Sequence, residues 1–488
     1  MTSAPTTLSP TRRPGGILAL FRPDPPADVI LEDPQQVRAG YRHWQPRILV
    51  ASIVGYAMFY FVRKNLSIAM PVMGKQLHIG KEQLGLFLTL HGVLYGVSKF
   101  ANGFLGDRAN ARTFMATGLF LSALVNIAFG SASIAFVMGI LWLLNGWFQG
   151  MGFPPCARLL THWFPPRQLA TKMSIWNTSH SIGAGLVVIL CGYLVVHDWR
   201  LCFYVPAALA IATSIYLLIF LRDTPESLGL PPVEHLDTNP GFPVITSPAV
   251  DAGAVPPPDV AAPEIAAEAA APPAPAAGDP TYGYFLRRYV FSNPYIWLVS
   301  LANFFVYTIR YAVLDWGPTL LSEAKGIRLT HTGWIMAAFE GFGLLGALAA
   351  GWMTDRFFAG RATRACVFYM LACAATLYVF WRLPHQSEFA STAILCAAGF
   401  FVYGPQCLIG VAAANLATKR AAAAAVGLTG IFGYASTVLS GWGLGYLVQH
   451  YGWDRGFLAI FIIAIVGILL FVLAWPAPAH GYSEQEGP

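Results

Sequence analysis

Long apolar stretches alternate with short polar ones along this chain, and their lengths are informative. A helix rises about 1.5 Å per residue and the hydrocarbon core of a bilayer is about 30 Å thick, so a crossing takes about 20 mostly apolar residues. Twelve stretches meet that condition, near 48–73, 84–105, 113–132, 134–157, 170–195 and 199–221, then 294–320, 331–354, 363–382, 388–414, 421–449 and 454–476. The sixth and seventh are separated by a polar segment, 222–292, centred on AVDAGAVPPPDVAAPEIAAEAAAPPAPAAGDP. An Ala/Pro-rich run with almost no aromatic residues cannot bury a core, so this segment is expected to be a largely disordered linker. The pattern predicts an all-α membrane protein of twelve transmembrane helices in two six-helix bundles. Its parts are an N-terminal tail (1–45), a first bundle (46–221), the linker (222–292), a second bundle (293–476) and a C-terminal tail (477–488).

Composition agrees with that picture: of 488 residues, 56% are hydrophobic and 11% charged, against about 25% charged in a soluble protein. The seven cysteines show neither metal-ligand spacing nor a disulfide framework and are expected to pack as small apolar residues. The first 45 residues hold no apolar core of signal-peptide type, so insertion is expected to use the first span, with the N-terminus retained. Basic residues orient the chain. The loops after even-numbered spans, with the linker, hold thirteen Lys and Arg against seven on the opposite side, and Arg38, Arg42 and Arg47 precede the first span. This bias predicts that both termini and the linker are cytoplasmic.

The two halves repeat one another. Arg63 maps to Arg310, and Pro71 to Pro318, at an offset of 247; LATK at Leu169–Lys172 returns at Leu416–Lys419 with the same offset. The loop GFLGDRANAR after the second span is matched by GWMTDRFFAGR after the eighth, placing Asp107 against Asp355 at an offset of 248. A parallel repeat of six spans is the signature of a transporter that rocks two bundles about a central site.

Arg63 and Arg310 are the residues that carry chemistry. Arg63 lies 16 residues beyond Arg47, about 24 Å along a helix, and Arg310 lies 16 residues past Pro294, so neither snorkels to the near interface. A guanidinium keeps its proton, and burying it in hydrocarbon is costly unless an anion or water meets it. Two arginines at matched depth favour a pair of clamps on one phosphate-like dianion, a partner that suits bidentate contacts. The alternative is a pair of structural salt bridges, for which Asp315 and Glu340 are the available acids. Lys64, about 100° round the helix from Arg63, either lines the same site or pairs with Glu340 or a carbonyl. Lys99, with Tyr95 one turn away, is either a ligand contact or a snorkelling lysine. His180, flanked by Asn177, Thr178, Ser179 and Ser181, is either a donor to phosphate or a packing residue; His91 reads as structural. The loop residues Asp107, Arg108, Arg112, Asp355, Arg356 and Arg361 lie too near the interface for a central site and are candidate cytoplasmic gates. No Walker loop, metal cluster or nucleophile elbow appears, so neither enzyme, cofactor nor nucleic-acid partner is expected.

Several longer motifs resemble the major facilitator superfamily and, within it, the organophosphate:phosphate antiporter family. They are GYAMFYFVRKNLSIAMP, YGVSKFANGFLGDRANAR, NGWFQGMGFPPCARLLTHWF, WNTSH, RDTPESLGLPP, VYTIRYAVLDWGPTLL and YGPQCLIG. The resemblance runs from Tyr41 to Trp475, and GYRHWQPRIL, PCARLLTHW and DWGPTLL are most similar to its hexose-phosphate sensor and transporter branch. It implies the major facilitator fold, a bacterial inner-membrane location, and phosphoryl contacts from Arg63 and Arg310 with His180, Tyr95 and Lys99 around them. It implies a secondary transporter exchanging hexose 6-phosphate or glycerol 3-phosphate for inorganic phosphate. The alternatives are a glucose-6-phosphate sensor that signals to a membrane histidine kinase, and a proton-coupled symporter using Glu340.

Overall fold

The computed structural model describes residues 20–233, 286–382, 388–417 and 421–479, and every regular element among them is helical. The centre of the linker, 234–285, whose disorder was expected, lies outside the described residues. The first half comprises α1 (Pro34–Phe61), α2 (Asn65–Gln76), α3 (Lys81–Arg108), α4 (Ala111–Ser131), α5 (Ala135–Gln149), α6 (Phe153–Trp163), α7 (Pro166–Leu194) and α8 (Leu201–Phe220). The second comprises α9 (Pro294–Ala324), α10 (Leu329–Phe358), α11 (Ala362–Arg382), α12 (Glu388–Leu416), α13 (Ala422–Ala435) and α14 (Leu444–Leu473). Helices α1 and α2 share the first crossing, and α5 and α6 the fourth. The apolar run Ala424–Leu473 is 50 residues long, about 75 Å of helix, and turns back at Gly452, whose φ of 80° a residue with a side chain rarely adopts. It therefore supplies the eleventh and twelfth crossings.

Local chemistry sets several starts. Asp33, Asn110 and Asn293 cap α1, α4 and α9, each accepting a hydrogen bond from a main-chain N–H of the first turn, and proline opens α1 and α9. The first bundle's packed structure reaches beyond the boundaries expected at 45 and 221. The Tyr41 hydroxyl donates to the Pro231 carbonyl at 2.6 Å, and Leu230 and Val233 belong to the same apolar cluster as Val37 and Tyr41. Within RDTPESLGLPP, the fully buried Asp223 accepts from the Ala111 N–H (2.8 Å), the Asp24 N–H (3.2 Å) and Arg158 (3.3 Å). One carboxylate thereby ties the entry to α1, the start of α4, the side of α6 and the exit from α8.

The apolar clusters show how the halves meet. One cluster lies wholly in the second half and another wholly in the first, toward the end that carries the termini. The cluster that crosses between halves sets Leu66, Ile68 and Val188 against Trp316, Ile335 and Leu444, all toward the opposite end, here the far end. Glycines permit that closeness: a Cβ at Gly85 would collide with the Gly441 carbonyl, and one at Gly333 with the Val188 carbonyl. The halves are thus closed on each other at the far end. Toward the termini, a Cβ at Gly103, Gly351 or Gly427 would meet nothing within 4 Å.

The first crossing is not continuous. Between α1 and α2 the chain leaves helical geometry at Val62–Lys64, so the Val62 carbonyl loses its helical donor. In hydrocarbon that loss must be made good by protein. Asn126 of α4 and Asn145 of α5 both donate to the Val62 carbonyl at 2.9 Å, and Asn65 donates to Asn126 and to the Cys202 carbonyl, each at 2.9 Å. Ser122 donates to Asn145, and Gln149 to Ser122 at 2.8 Å, which completes a buried network of amides around the break. The double variant Asn126→Leu/Asn145→Leu keeps side-chain volume but leaves the carbonyl bare. It should lose about 1–3 kcal/mol of stability, read as a lower melting temperature in detergent. An unchanged melting temperature would mean that the break does not depend on this network.

Candidate functional site

The break delivers Arg63. Its main-chain N–H is held by the Tyr60 carbonyl at 3.3 Å, and its guanidinium lies 4.2 Å from the ring centre of Tyr95 and 5.2 Å from that of Tyr60. Among the described residues no carboxylate reaches salt-bridge distance of Arg63. Its company is aromatic, which attracts a cation but does not neutralise it.

Arg310 is differently provided for. It projects from the uninterrupted helix α9 and donates to the Tyr403 hydroxyl at 2.9 Å, while Tyr403 donates to Glu340 at 2.5 Å and the Glu340 carboxylate stands 4.0 Å from the guanidinium. The sequence repeat predicted equivalent arginines. The structure gives them unequal surroundings because Glu340 and Tyr403 have no counterparts beside Arg63. Of the alternatives open for Lys64, a pair with Glu340 is not the one observed. Lys64 pairs with Asp315 across the two halves at 2.7 Å, both side chains nearly buried, and its ammonium lies 5.3 Å from the Tyr311 ring. Tyr311 also faces Arg310, at 5.8 Å, and so lies between the cations of the two halves.

The other predicted residues gather around this centre. Tyr95 is buried and meets Tyr434 of the second half edge-on at 5.2 Å. Lys99 does not snorkel: its ammonium sits 4.3 Å from the Phe153 ring and 6.0 Å from that of Tyr434. His180 lies 5.8 Å from the Tyr60 ring, its Nδ1–H directed at the Asn177 carbonyl at 2.5 Å and its Nε2 facing Ser181 at 3.2 Å, a tautomer that leaves Nε2 the acceptor. His91 packs on Trp142 and bonds its carbonyl at 3.2 Å, as expected of a structural histidine. Arg63, Lys64 and Arg310 bring three positive charges to the centre, and Asp315 and Glu340 answer two of them, so among the described residues Arg63 is left without a carboxylate. A cation so placed within the span calls for an anion.

The loop residues behave differently. Arg108, Asp355 and Arg356 are exposed, Arg361 is half-buried, the Asp107 side chain lies outside the described residues, and among the described residues no ion pair joins the two loops. Arg112 reaches Asp24 at 4.0 Å within its own half. The buried ion pair at this end is Arg158–Asp223, with Arg158 also donating to the carbonyls of Gly106 and Ala109. Sequence reasoning missed Tyr403, Tyr434 and the asparagines around the break. Tyrosine and asparagine carry no net charge, and twenty tyrosines in the chain gave no reason to single out these two. The YGPQCLIG motif that begins at Tyr403 was the available signal.

Comparison with known proteins gives the family and the fold. The Major Facilitator Superfamily model matches residues 52–441. The chain is 36% identical to a glycerol-3-phosphate transporter of Bacillus subtilis (strain 168), over 94% of this chain and 98% of that one. It is 37% identical to a probable hexose phosphate transport protein of Chlamydia pneumoniae, over 92% and 94% of the two chains. It is 35% identical to the membrane sensor protein UhpC of Escherichia coli (strain K12), over 92% and 96%. Among solved structures, a bacterial homolog of the human lysosomal transporter Spinster, in an inward-facing and occupied conformation, superposes with a TM-score of 0.70. It does so at 12% identity, covering 90% of this chain and 99% of that one, a likeness of fold alone. The chain belongs to the major facilitator superfamily and, within it, to the family that holds the glycerol-3-phosphate and hexose phosphate transporters and the UhpC sensors.

Proposed function

We propose that this protein is a secondary transporter that exchanges a phosphate ester, hexose 6-phosphate or glycerol 3-phosphate, for inorganic phosphate by alternating access. The observation that carries the reading is the Arg63 guanidinium within the span, with no carboxylate partner among the described residues, in the same centre as Arg310. A phosphate dianion supplies the missing negative charge, and its oxygens suit bidentate contacts from both guanidiniums. With both termini in the cytoplasm of a bacterial inner membrane, the far end is periplasmic, and closure there is the inward-facing state. The empty site carries unneutralised charge and crosses poorly, whereas the site filled by either anion crosses; this difference makes the exchange obligatory. Glu340 is committed to Tyr403 and Arg310, which argues against its use as a free proton carrier for symport.

In phosphate-loaded proteoliposomes the protein should take up labelled glucose 6-phosphate or glycerol 3-phosphate by counterflow. A second reading, a sensor working through a membrane histidine kinase, is favoured by the 35% identity to UhpC over 454 residues, close to the 36% and 37% shared with the transporters. Ligand binding without counterflow would decide for it. Arg63→Lys keeps the charge but removes the planar fork, and exchange should fall by more than tenfold while the melting temperature holds. Exchange near the wild-type rate would exclude a bidentate contact from that residue.

The Lys64–Asp315 pair joins the halves beside the site and must part when the far end opens. Asp315→Leu leaves a buried ammonium unpaired and should cost about 3–5 kcal/mol, whereas Lys64→Met/Asp315→Leu should regain most of that loss. Melting of the two variants in detergent checks this, and equal destabilisation of single and double variants would contradict it.

A further inference from the structure

Toward the termini from the arginines, the second half presents a row of neutral hydrogen-bonding groups that charge neutralisation does not use. Asn303, Tyr307 and Arg310 lie at i, i+4 and i+7 on one face of α9, and Tyr403 and Gln406 lie one turn apart on α12. The two helices face each other rung by rung: Arg310 donates to Tyr403 at 2.9 Å, and Gln406 to the Tyr307 hydroxyl at 3.5 Å. Tyr307 stands about 4.5 Å, and Asn303 about 10.5 Å, along α9 from Arg310. Asn303 is buried and its amide N–H donates to the Thr429 carbonyl at 2.8 Å, but among the described residues its carbonyl oxygen meets no donor, nor does that of Gln406. Buried acceptors without donors are unfavourable, and two of them in one row need a ligand or some other source of hydrogen-bond donors.

The surroundings define what fits. Gly433 of α13 covers Asn303 and Tyr307 without a side chain of its own; a Cβ there would come within 3.1 Å of the Asn303 amide nitrogen and 3.5 Å of the Tyr307 ring. Its neighbour Tyr434 turns toward Lys99 of the first half, which lies one turn from Tyr95 in the same direction, toward the termini. The row therefore continues the phosphate site rather than forming a separate one.

We propose that Asn303, Tyr307 and Gln406 form a subsite that reads the hydroxyl groups of a phosphate ester whose phosphoryl group lies between Arg63 and Arg310. Hydroxyls donate to the two bare carbonyl oxygens, whereas a carboxylate in the same place would face them with like charge. The subsite thus selects a polyol phosphate over a phosphorylated carboxylic acid. It also grades substrates by length: a three-carbon ester reaches Gln406 and Tyr307, and only a hexose phosphate extends to Asn303. The inference rests on the function proposed above and names the substrate class of that same site.

The test uses phosphate-loaded proteoliposomes of wild type, Gln406→Leu and Asn303→Ala, with KM measured for inorganic phosphate, glycerol 3-phosphate and glucose 6-phosphate. Phosphate KM should stay within about twofold in both variants. Gln406→Leu should raise KM for both esters by about tenfold, the worth of a good hydrogen bond to substrate, and Asn303→Ala should do so for glucose 6-phosphate alone. Phosphate self-exchange shows that each variant has folded, and Gln406→Met or Asn303→Ser replaces a variant that fails that control. KM values for all three substrates rising together, or no change for either ester, would overturn the subsite. Absence of exchange by the wild type would instead overturn the antiport. The subsite is then read from ligand-induced rises in melting temperature of the purified proteins. The same order of losses would support it, and equal responses by all the proteins would overturn it.

Discussion

A guanidinium held in the middle of an apolar bundle, with aromatic rings but no carboxylate of the described residues around it, is the constraint on which the rest of this structure depends. A cation so placed is unstable with respect to almost any rearrangement that would let it reach water or an acid. Keeping Arg63 there requires a rigid backbone, and the fold supplies one at a point where a helix would ordinarily run through. The cost of interrupting the first crossing is met by Asn126 and Asn145, which give back to the Val62 carbonyl the hydrogen bonds the helix no longer makes. The polar network therefore serves as the mounting of the site, and through it α4 and α5 fix where Arg63 points.

The second half solves the same problem by another route. Arg310 stays in a continuous helix and is steadied by Tyr403 and Glu340, so its charge is partly answered before any ligand arrives. The consequence is a division of labour between halves that share a sequence repeat. One offers an unanswered charge on a rigid mount, and the other offers a damped charge with neutral groups running away from it along α9 and α12. Lys64 and Asp315 join the two beside the centre, and the apolar cluster at the far end holds them closed there. An anion entering such a site changes the balance of forces across the interface as well as the charge within it.

Much of this was legible in the sequence. Twelve apolar runs of the right length, one internal offset and two stranded arginines led to the fold and to the centre of the site, because burying charge in hydrocarbon is so unfavourable that any exception marks function. Tyr95, Lys99 and His180 stood between ligand contact and packing until the family resemblance favoured the first; Tyr95 lies against Arg63, Lys99 near Tyr434, and His180 beside Tyr60. Where repeat symmetry was used to infer chemistry it misled: matching Arg63 to Arg310 says nothing of Glu340 and Tyr403, which reach Arg310 from other helices. The partner of Lys64 was equally hidden, since Asp315 comes from 251 positions along the chain and only the packing of the halves brings it near. The loop arginines and aspartates were candidate cytoplasmic gates by their motif; among the described residues, a buried ion pair at that end is Arg158–Asp223, joined by the docked segment after α8. Charge in hydrocarbon is visible in a sequence; the hydrogen-bond partners that make it tolerable are long-range and mostly neutral, and are not.

Where the phosphoryl group rests is decided by a structure of the protein with bound glucose 6-phosphate. Phosphoryl oxygens should lie within about 3 Å of both the Arg63 and Arg310 guanidiniums, with Tyr60, Tyr95 and Tyr311 around them. A phosphoryl group seated instead against the exposed loop arginines at the termini, with Arg63 still facing only its tyrosines, would contradict that placement.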